Sequence, residues 1–267
     1  MSKVGPTLIV ALLIGAAAPP GPACTVTAGM AVDADGAPDS YLVDGRGLSY
    51  TCDGVFAIVG GVAHTQLNDA KNWQTLCASH WTAAKQSGDY SGVKIVGFIQ
   101  DGRGKPIVQG EGNPLPGKAF VTTTKLTVPG TPATSQRHFV DAVQIPYVVL
   151  PGDWAANRGV SLGGVVAVYR PKTGRMAFAV YGDCCSIGEG SVRLHQDIGA
   201  NPLVTKRDGT KRAKQGIEDR VVFVPFRGAG TTPTLDAAAW RKQIQEVGTA
   251  ALDRFGGIAA IKACSGT

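Results

Sequence analysis

Two carboxylates close together in the chain, Asp183 and Glu189, are the pair best placed to do acid–base chemistry. They belong to the segment YGDCCSIGEGS at 181–191, where one apolar strand pattern ends at Asp183 and another begins at Glu189. If these strands pair as a hairpin, facing Cβ atoms lie about 5 Å apart. The carboxyl groups could then be about 5–9 Å apart, which covers both geometries used for glycoside hydrolysis. The alternative is a structural turn with two solvated acids.

An aspartate-rich stretch near the N-terminus is a second candidate site. Residues 31–53 contain only one basic residue, Arg46. The aspartates there are Asp33, Asp35, Asp39, Asp44 and Asp53. They could line subsites for a cationic polymer or be solvated turn residues. Asp33 and Asp35 resemble part of a calcium loop, but the remaining EF-hand spacing is absent, so we expect no metal and no cofactor.

Three further polar residues have less defined roles. Asp141 precedes the apolar strand 147–150 and could bind sugar or orient a strand end. His195 is more typical of a hydrogen-bonded structural histidine than of a catalytic one. Ser191 has no histidine–aspartate partner that the sequence identifies, so a serine nucleophile is unsupported.

Six cysteines indicate three disulfides if the chain is exported. They are Cys24, Cys52, Cys77, Cys184, Cys185 and Cys264. Six cysteines allow 15 pairings, and the sequence does not choose among them. We expect Cys184 and Cys185 to bond to different partners, because a bridge between neighbours strains the backbone. Since there is no C-x2-C pair, zinc is disfavoured.

The first 23 residues have the features of a secretory signal peptide in the right order. Lys3 precedes an apolar run at 7–18, and small residues follow at 21–23. The run is shorter than the ~20 residues that a membrane-spanning helix needs. We therefore expect a secreted protein whose residues 24–267 form a single catalytic domain. A periplasmic or lipid-anchored form through Cys24 is less favoured, since Gly21 stands where a lipoprotein signal has Leu.

Composition is that of a folded β-rich protein. Hydrophobic residues make up 44% and charged residues 17% of the chain, a globular balance. Its 36 glycines and 16 prolines indicate many turns between short strands. The net charge is +6, and much of the excess lies at 206–220, which we interpret as a solvated loop. Because no aromatic residues interleave these charges, we expect no nucleic-acid partner.

Periodicity predicts two long helices, over 65–87 with a stop at Gly88, and over 234–255 with Thr234 as N-cap. Strands are predicted at 55–62, 93–99, 147–150, 165–169, 176–181, 189–194 and 220–226. Trp73 and Trp81 could stack on sugar rings, but their place on the apolar stripe of the first helix favours core packing.

Four segments, in order, resemble glycoside hydrolase family 75, the fungal and bacterial chitosanases. They are AVDADG at 31–36, FVDAVQIPYVVL at 139–150, the strand ending in Tyr-Gly-Asp at 164–183, and IGEGS at 187–191. These correspond to the family's Asp-x-Asp, Pro-Tyr-Val-Val, catalytic-Asp and Gly-Glu-x-Ser elements. The resemblance spans residues 31–195, a little over half of the chain.

The resemblance implies endo-hydrolysis of β-1,4 links in chitosan with inversion, catalysed by Asp183 and Glu189. We favour Glu189 as acid and Asp183 as base, and assign Asp33, Asp35 and Asp141 to substrate binding. The implied fold is mainly β: a six-stranded, double-psi-like barrel with a few packed helices, stabilised by disulfides. Two departures are the short Cys-Cys link between the acids and a basic net charge in a protein acting on a polycation.

Two other hypotheses remain open. Hydrolysis of peptidoglycan or another amino glycan would suit the basic charge better. A carbohydrate-binding module without turnover is the third, because fold alone does not establish catalysis. In each case we expect a monomer that binds a polysaccharide. We expect no association with a membrane after the signal peptide is removed.

Overall fold

The computed structural model describes residues 24–264, and its centre is a curled half-barrel sheet. The expected signal peptide lies outside the described residues. The strands, in chain order, are β1 (Thr25–Thr27), β2 (Ala31–Asp33), β3 (Val55–Val59), β4 (Val62–His64), β5 (Val93–Ile95), β6 (Tyr147–Leu150), β7 (Gly164–Arg170), β8 (Arg175–Cys184), β9 (Glu189–Ser191), β10 (Leu203–Thr205), β11 (Lys211–Ala213) and β12 (Val221–Gly230). The mainly β prediction is confirmed, but the main sheet has seven strands rather than six, in the order β1-β12-β7-β8-β6-β9-β2.

The two predicted helices differ from the structure mainly at their starts, and three short helices were not predicted. They are α1 (Trp73–Ser87), α2 (Gly152–Asn157), α3 (Val192–Asp197), α4 (Ala237–Phe255) and α5 (Gly257–Cys264). Helix α1 starts at Trp73 rather than at 65 because the Asn68 side chain accepts the Thr65 N–H at 2.8 Å, a local bond that competes with the helix. Helix α4 is capped by Asp236 rather than by Thr234. Gly88, with φ 77°, ends α1 as predicted.

The strands that carry the two central acids are not neighbours. Strand β6 lies between them, parallel to β8 and antiparallel to β9. The predicted hairpin is therefore wrong. All four residues of β6 are buried, as expected of a strand that is covered on both faces and central in its sheet. The predicted strand from Glu189 ends at Ser191, whose hydroxyl accepts the Leu194 N–H and starts α3.

Helix α4 closes one face of the half-barrel. Its residues Trp240, Ile244 and Ala251 are buried in the core that contains Phe178. Each large apolar side chain buried in this way contributes about 1.5–3 kcal/mol. Gly248 lies directly on the Phe178 ring, where a Cβ would collide, so the close approach of α4 requires glycine.

A smaller layer packs beside the half-barrel. The sheet β4-β3-β5 is covered by α1, and Trp81 packs there against Phe98 and Phe120. Trp81 is buried, which confirms its place in the core. Trp73 is also buried, although its edge lines a groove described below.

Three disulfides are present, as the cysteine count predicted. Cys24 bonds to Cys264, Cys52 to Cys77, and Cys184 to Cys185. The expectation that the adjacent cysteines have different partners is therefore wrong. The other four cysteines pair among themselves, and Cys185 accommodates the bridge at a φ of 123°.

The basic segment at 206–220 is more ordered than a solvated loop. Strands β10 and β11 form a hairpin, and Arg212 is buried within it. The Arg212 guanidinium donates to the carbonyls of Gly45, Gly47 and Ser49. The hairpin is thereby attached to the aspartate-rich N-terminal segment. Of the helices within 24–264, none has the length and apolarity to cross a bilayer.

Candidate active site

Asp183 and Glu189 flank the same residue of the central strand. Val149 in β6 is the register partner of Asp183 on one side and of Glu189 on the other. Because adjacent strands are about 4.8 Å apart, the two Cα atoms are separated by about 10 Å. Directly paired residues project from the same face of a sheet. The two acids therefore share a face, across the width of one strand.

A β-bulge turns Asp183 towards that face. Tyr181 pairs with Val148 and Asp183 pairs with Val149, so Gly182 is an extra residue between them. One inserted residue reverses the face of everything that follows it. A Cβ at position 182 would lie 2.6 Å from the Cβ of Tyr147, which is why the bulge holds a glycine.

The N-terminal aspartates join this pair. Strand β2 runs parallel to β9, with Ala31 beside Glu189 and Asp33 beside Ser191. The Asp33 carboxylate accepts the Asp35 N–H at 2.8 Å. The Tyr147 hydroxyl donates to the Asp35 carbonyl at 2.9 Å, which ties this turn to β6.

Burial and mutual repulsion hold protons on this cluster. Burial, followed by the negative charges of Asp183 and Glu189, raises the pKa of Asp33 to about 7. Burial also raises the pKa of Asp35 well above its ordinary value, with Asp33 and Asp183 adding to the effect. Burial raises the pKa of Asp183 to about 6, against the opposing effect of two backbone N–H donors. All three side chains nevertheless retain some contact with solvent.

Each central acid has an identified hydrogen-bond donor. Asp183 Oδ1 accepts the N–H of Cys184 at 2.7 Å and that of Lys125 at 3.2 Å. Glu189 Oε1 accepts the Ser186 hydroxyl at 2.7 Å. The short link between the two acids therefore contributes a donor to each of them.

A groove of about 900 Å³ runs along β2. Its lining includes Ala31 and Val32 of β2, Tyr50, Asp53, Trp73 and Lys214. Asp53 contributes to the raised pKa of Asp35, which places this groove within electrostatic reach of the acid cluster. Asp33, Asp35, Asp183 and Glu189 are not among the residues that line this groove.

Tyr50, which lines this groove, is surrounded by cations. The charged groups of Arg212, Lys206 and Lys214 lie 4.4, 4.8 and 6.0 Å from its ring centre. Sequence reasoning missed Tyr50, Tyr147 and Ser186. Tyr147 stood in a recognised motif and Ser186 in the short link between the acids, but no local pattern marked Tyr50.

Asp141 is used within its own turn. Its carboxylate accepts the Val143 N–H at 2.8 Å and the Gln144 side-chain amide at 2.7 Å. Burial raises its pKa. This geometry favours the role of orienting the entry to β6 over that of binding sugar.

His195 and Ser191 are structural. The two ring nitrogens of His195 lie 3.0 and 3.1 Å from the carbonyl oxygens of Ser191 and Met30, and burial lowers its pKa. The Ser191 hydroxyl donates to the carbonyl oxygen of Ile145 and accepts a hydrogen bond from the backbone N–H of Tyr147. Because the hydroxyl is occupied in this way, it is not free to act as a nucleophile.

The acid cluster makes stability depend on pH. A raised folded-state pKa means that the native state holds protons which the unfolded chain releases, so stability falls as pH rises from about 4 to 7. The substitution Asp33→Asn removes the pH dependence that the Asp33 carboxyl contributes. We expect the free energy of unfolding of Asp33→Asn, relative to wild type, to rise by about 2 kcal/mol between these pH values, a figure reduced for residual solvent contact.

Urea unfolding at several pH values measures this difference. Asp153→Asn, an exposed aspartate on α2, is the matched control and should run parallel to wild type. A difference for Asp33→Asn that stays constant with pH would contradict the assignment of a raised pKa.

Comparison with known proteins identifies the family of the chain. The family model described as fungal chitosanase of glycosyl hydrolase group 75 matches residues 30–257. The match includes all of the acid cluster and both long helices. A search of the curated proteins found no match to the chain. Since the family match covers most of the sequence, the chain belongs to the group 75 glycosyl hydrolases and is an enzyme that degrades chitosan.

Proposed function

We propose that the protein is a secreted, endo-acting chitosanase that inverts configuration, with Asp183 and Glu189 as its catalytic pair. The supporting observation is the register, in which both acids flank Val149 and share one face. Two strand spacings give a Cα separation of about 10 Å. Inverting enzymes need about 6.5–9.5 Å between carboxyl groups, room for a sugar bond and a water.

Asp183 is the general acid in this proposal, and Glu189 the general base. An acid must hold its proton at the working pH, and burial raises the pKa of Asp183 to about 6. Glu189 is oriented by the Ser186 hydroxyl, which donates to one oxygen and leaves the other to face a water. This assignment is the reverse of the one that we favoured from the sequence.

The reaction balances with these two groups alone. Asp183 gives its proton to the glycosidic oxygen as the C1–O bond breaks. Glu189 takes a proton from a water, whose oxygen bonds to C1 from the opposite face. The products are an alcohol and a hemiacetal of inverted configuration. NMR of early products would show the α-anomer first, and a β-anomer would overturn inversion.

The activity should decline as pH rises through about 6, because the acid loses its proton there. This pH corresponds to the raised pKa of Asp183. Well below this pH, nearly all of the enzyme has a protonated Asp183, so this group no longer makes the rate depend on pH. Initial rates on a soluble glucosamine oligomer at saturating concentration measure this fall of kcat on the alkaline side of the pH profile. A rate that stays level to pH 8 would exclude Asp183 as the acid.

Asp33 and Asp35 become a source of negative charge once a cationic substrate lies beside them. Chitosan carries ammonium groups, and an ammonium placed beside these carboxyls favours their ionised form. With such a substrate bound, the local charge at the site is therefore opposite to the net charge of the chain. This removes the objection that a basic protein is unsuited to a polycation.

A second candidate substrate is a glycan with anionic groups, such as peptidoglycan. The observation in its favour is the pair of exposed lysines, Lys206 and Lys214, beside the ring of Tyr50. Incubation with chitosan and with purified cell wall separates the two. Shortened chitosan oligomers support the first, release from cell wall supports the second, and binding without release indicates a module without turnover.

The remaining expectations stay proposals. Two parallel pairs, β6 with β8 and β2 with β9, within a largely antiparallel sheet suit a double-psi-like topology. The three disulfides suit a secreted protein. We also propose that residues 24–267 act as a single catalytic domain and as a monomer.

A further inference from the structure

The disulfide between Cys184 and Cys185 lies on the link that joins the two central acids. Asp183 directly precedes it, and Ser186, the hydrogen-bond donor to Glu189, directly follows it. The backbone N–H of Cys184 donates to Asp183 Oδ1. Cys185 is exposed, whereas both acids are partly buried.

Loop closure gives this bridge little to contribute to the stability of the fold. A disulfide stabilises mainly by restricting the unfolded chain, and the effect grows with the length of the closed loop. Cys24–Cys264 and Cys52–Cys77 join residues 240 and 25 positions apart, while Cys184–Cys185 joins neighbours. Its position between the acids therefore calls for another explanation.

The backbone at the bridge has a conformation that an unbridged chain would leave. Cys185 has a φ of 123°, and it is the one non-glycine residue with positive φ among residues 24–264. L-residues other than glycine rarely adopt such angles. The covalent ring through Cys184 and Cys185 keeps this conformation in place, and with it the direction in which the chain leaves Asp183 towards Ser186.

We propose that the Cys184–Cys185 disulfide is a positioning element for the catalytic pair. The ring holds the Cys184 N–H on Asp183 and the Ser186 hydroxyl on Glu189, and so fixes the orientation of the two carboxyl groups. This inference rests on the proposed roles of Asp183 and Glu189. The two sulfurs take no part in the proposed reaction, and their role is to hold the backbone that carries the hydrogen-bond donors.

The test compares three variants with wild type on chitosan. In Cys184→Ala/Cys185→Ala the chain is free to leave positive φ, and we expect kcat to fall ~10–100-fold with a nearly unchanged KM. We also expect the alkaline limb of the pH profile to shift, since the N–H on Asp183 is displaced. In Cys184→Ala/Cys185→Gly the glycine accepts positive φ without steric cost, so part of the lost kcat should return.

The matched control is Cys24→Ser/Cys264→Ser, which removes a bridge between the chain ends. It should lower the temperature of unfolding while kcat stays near wild type. The alanine double variant should show the opposite pattern. Equal kcat and pH profile in the alanine double variant and wild type would overturn the inference, as would a loss of kcat matched by a large loss of thermal stability.

A separate measurement covers the case in which the double variants do not fold. Titration of the wild type with dithiothreitol transfers two electrons and two protons to each bridge, giving two thiols. Alkylation and mass spectrometry then identify which bridge has opened. Activity should fall in step with opening of Cys184–Cys185, and activity that follows another bridge overturns the inference.

The same experiments distinguish a failure of the proposed catalytic pair from a failure of the role proposed for the disulfide. Wild type that does not shorten chitosan, or a Glu189→Gln variant as active as wild type, overturns the proposed catalytic pair and the inference with it. Active wild type and inactive Glu189→Gln, together with an unimpaired alanine double variant, overturn only the role of the disulfide.

Discussion

Glu189→Gln is expected to lower kcat on chitosan by ~10³-fold, within the range for loss of a general base. Glutamine has the shape of glutamate and keeps an oxygen for the Ser186 hydroxyl, but its amide cannot take a proton from the attacking water. The fold should not change, because Glu189 keeps contact with solvent at the start of β9. Reducing-end release and thermal unfolding measure the two properties.

Glu111→Gln is the matched control, an identical substitution at an exposed position. It should equal wild type in both measurements. If Glu189→Gln retains most of the wild-type kcat, Glu189 is not the base and the catalytic pair is misassigned.

Asp183→Asn is expected to have a similar effect on chitosan but a different dependence on the leaving group. Asparagine has no proton to give to the glycosidic oxygen, so kcat should again fall by ~10³-fold. A glucosaminyl fluoride needs little proton transfer to its leaving group. On that substrate Asp183→Asn should therefore approach wild type, while Glu189→Gln stays inactive.

The two substrates together decide which carboxyl is the acid. If Asp183→Asn is inactive on the fluoride and Glu189→Gln recovers, the roles are the reverse of those proposed. Asp153→Asn controls for the substitution itself, since Asp153 is exposed on α2. At about pH 4 or below, where Asp183 is protonated in the wild type, thermal unfolding should be similar in wild type and both catalytic variants.

Local elements were predictable because their signals are local. Alternation and apolar runs located β6, β7 and β8 to within a few residues, and the stripe of α4 was recognised from Trp240 to Phe255. The errors occurred where side chains compete with the backbone. A hydrogen bond from Thr65 to Asn68 accompanies the late start of α1, and Asp236 caps α4. Neither interaction alters the spacing of apolar residues, so the periodicity did not reveal where these helices begin.

The choice of Asp183 and Glu189 as the catalytic pair stays a prediction, and the geometry assumed for it was wrong. Residue types and spacing singled out Asp183 and Glu189, but the hairpin assumed between them does not exist. Strand pairing is decided by which apolar faces can be buried together, and β6, apolar on both faces, takes the position between β8 and β9.

The chemical types of the acidic residues, the main strand and helix patterns, the number of disulfides and the resemblance to a family could all be read from the sequence. The folded structure was needed to show that Asp33 and Asp35 join Asp183 and Glu189, that Gly182 turns Asp183 to their face, and that Cys184 bonds to Cys185. The difference arises from distance along the chain. Helix and strand periods arise from neighbouring residues, whereas the acid cluster forms because packing of the half-barrel brings β2 beside β9.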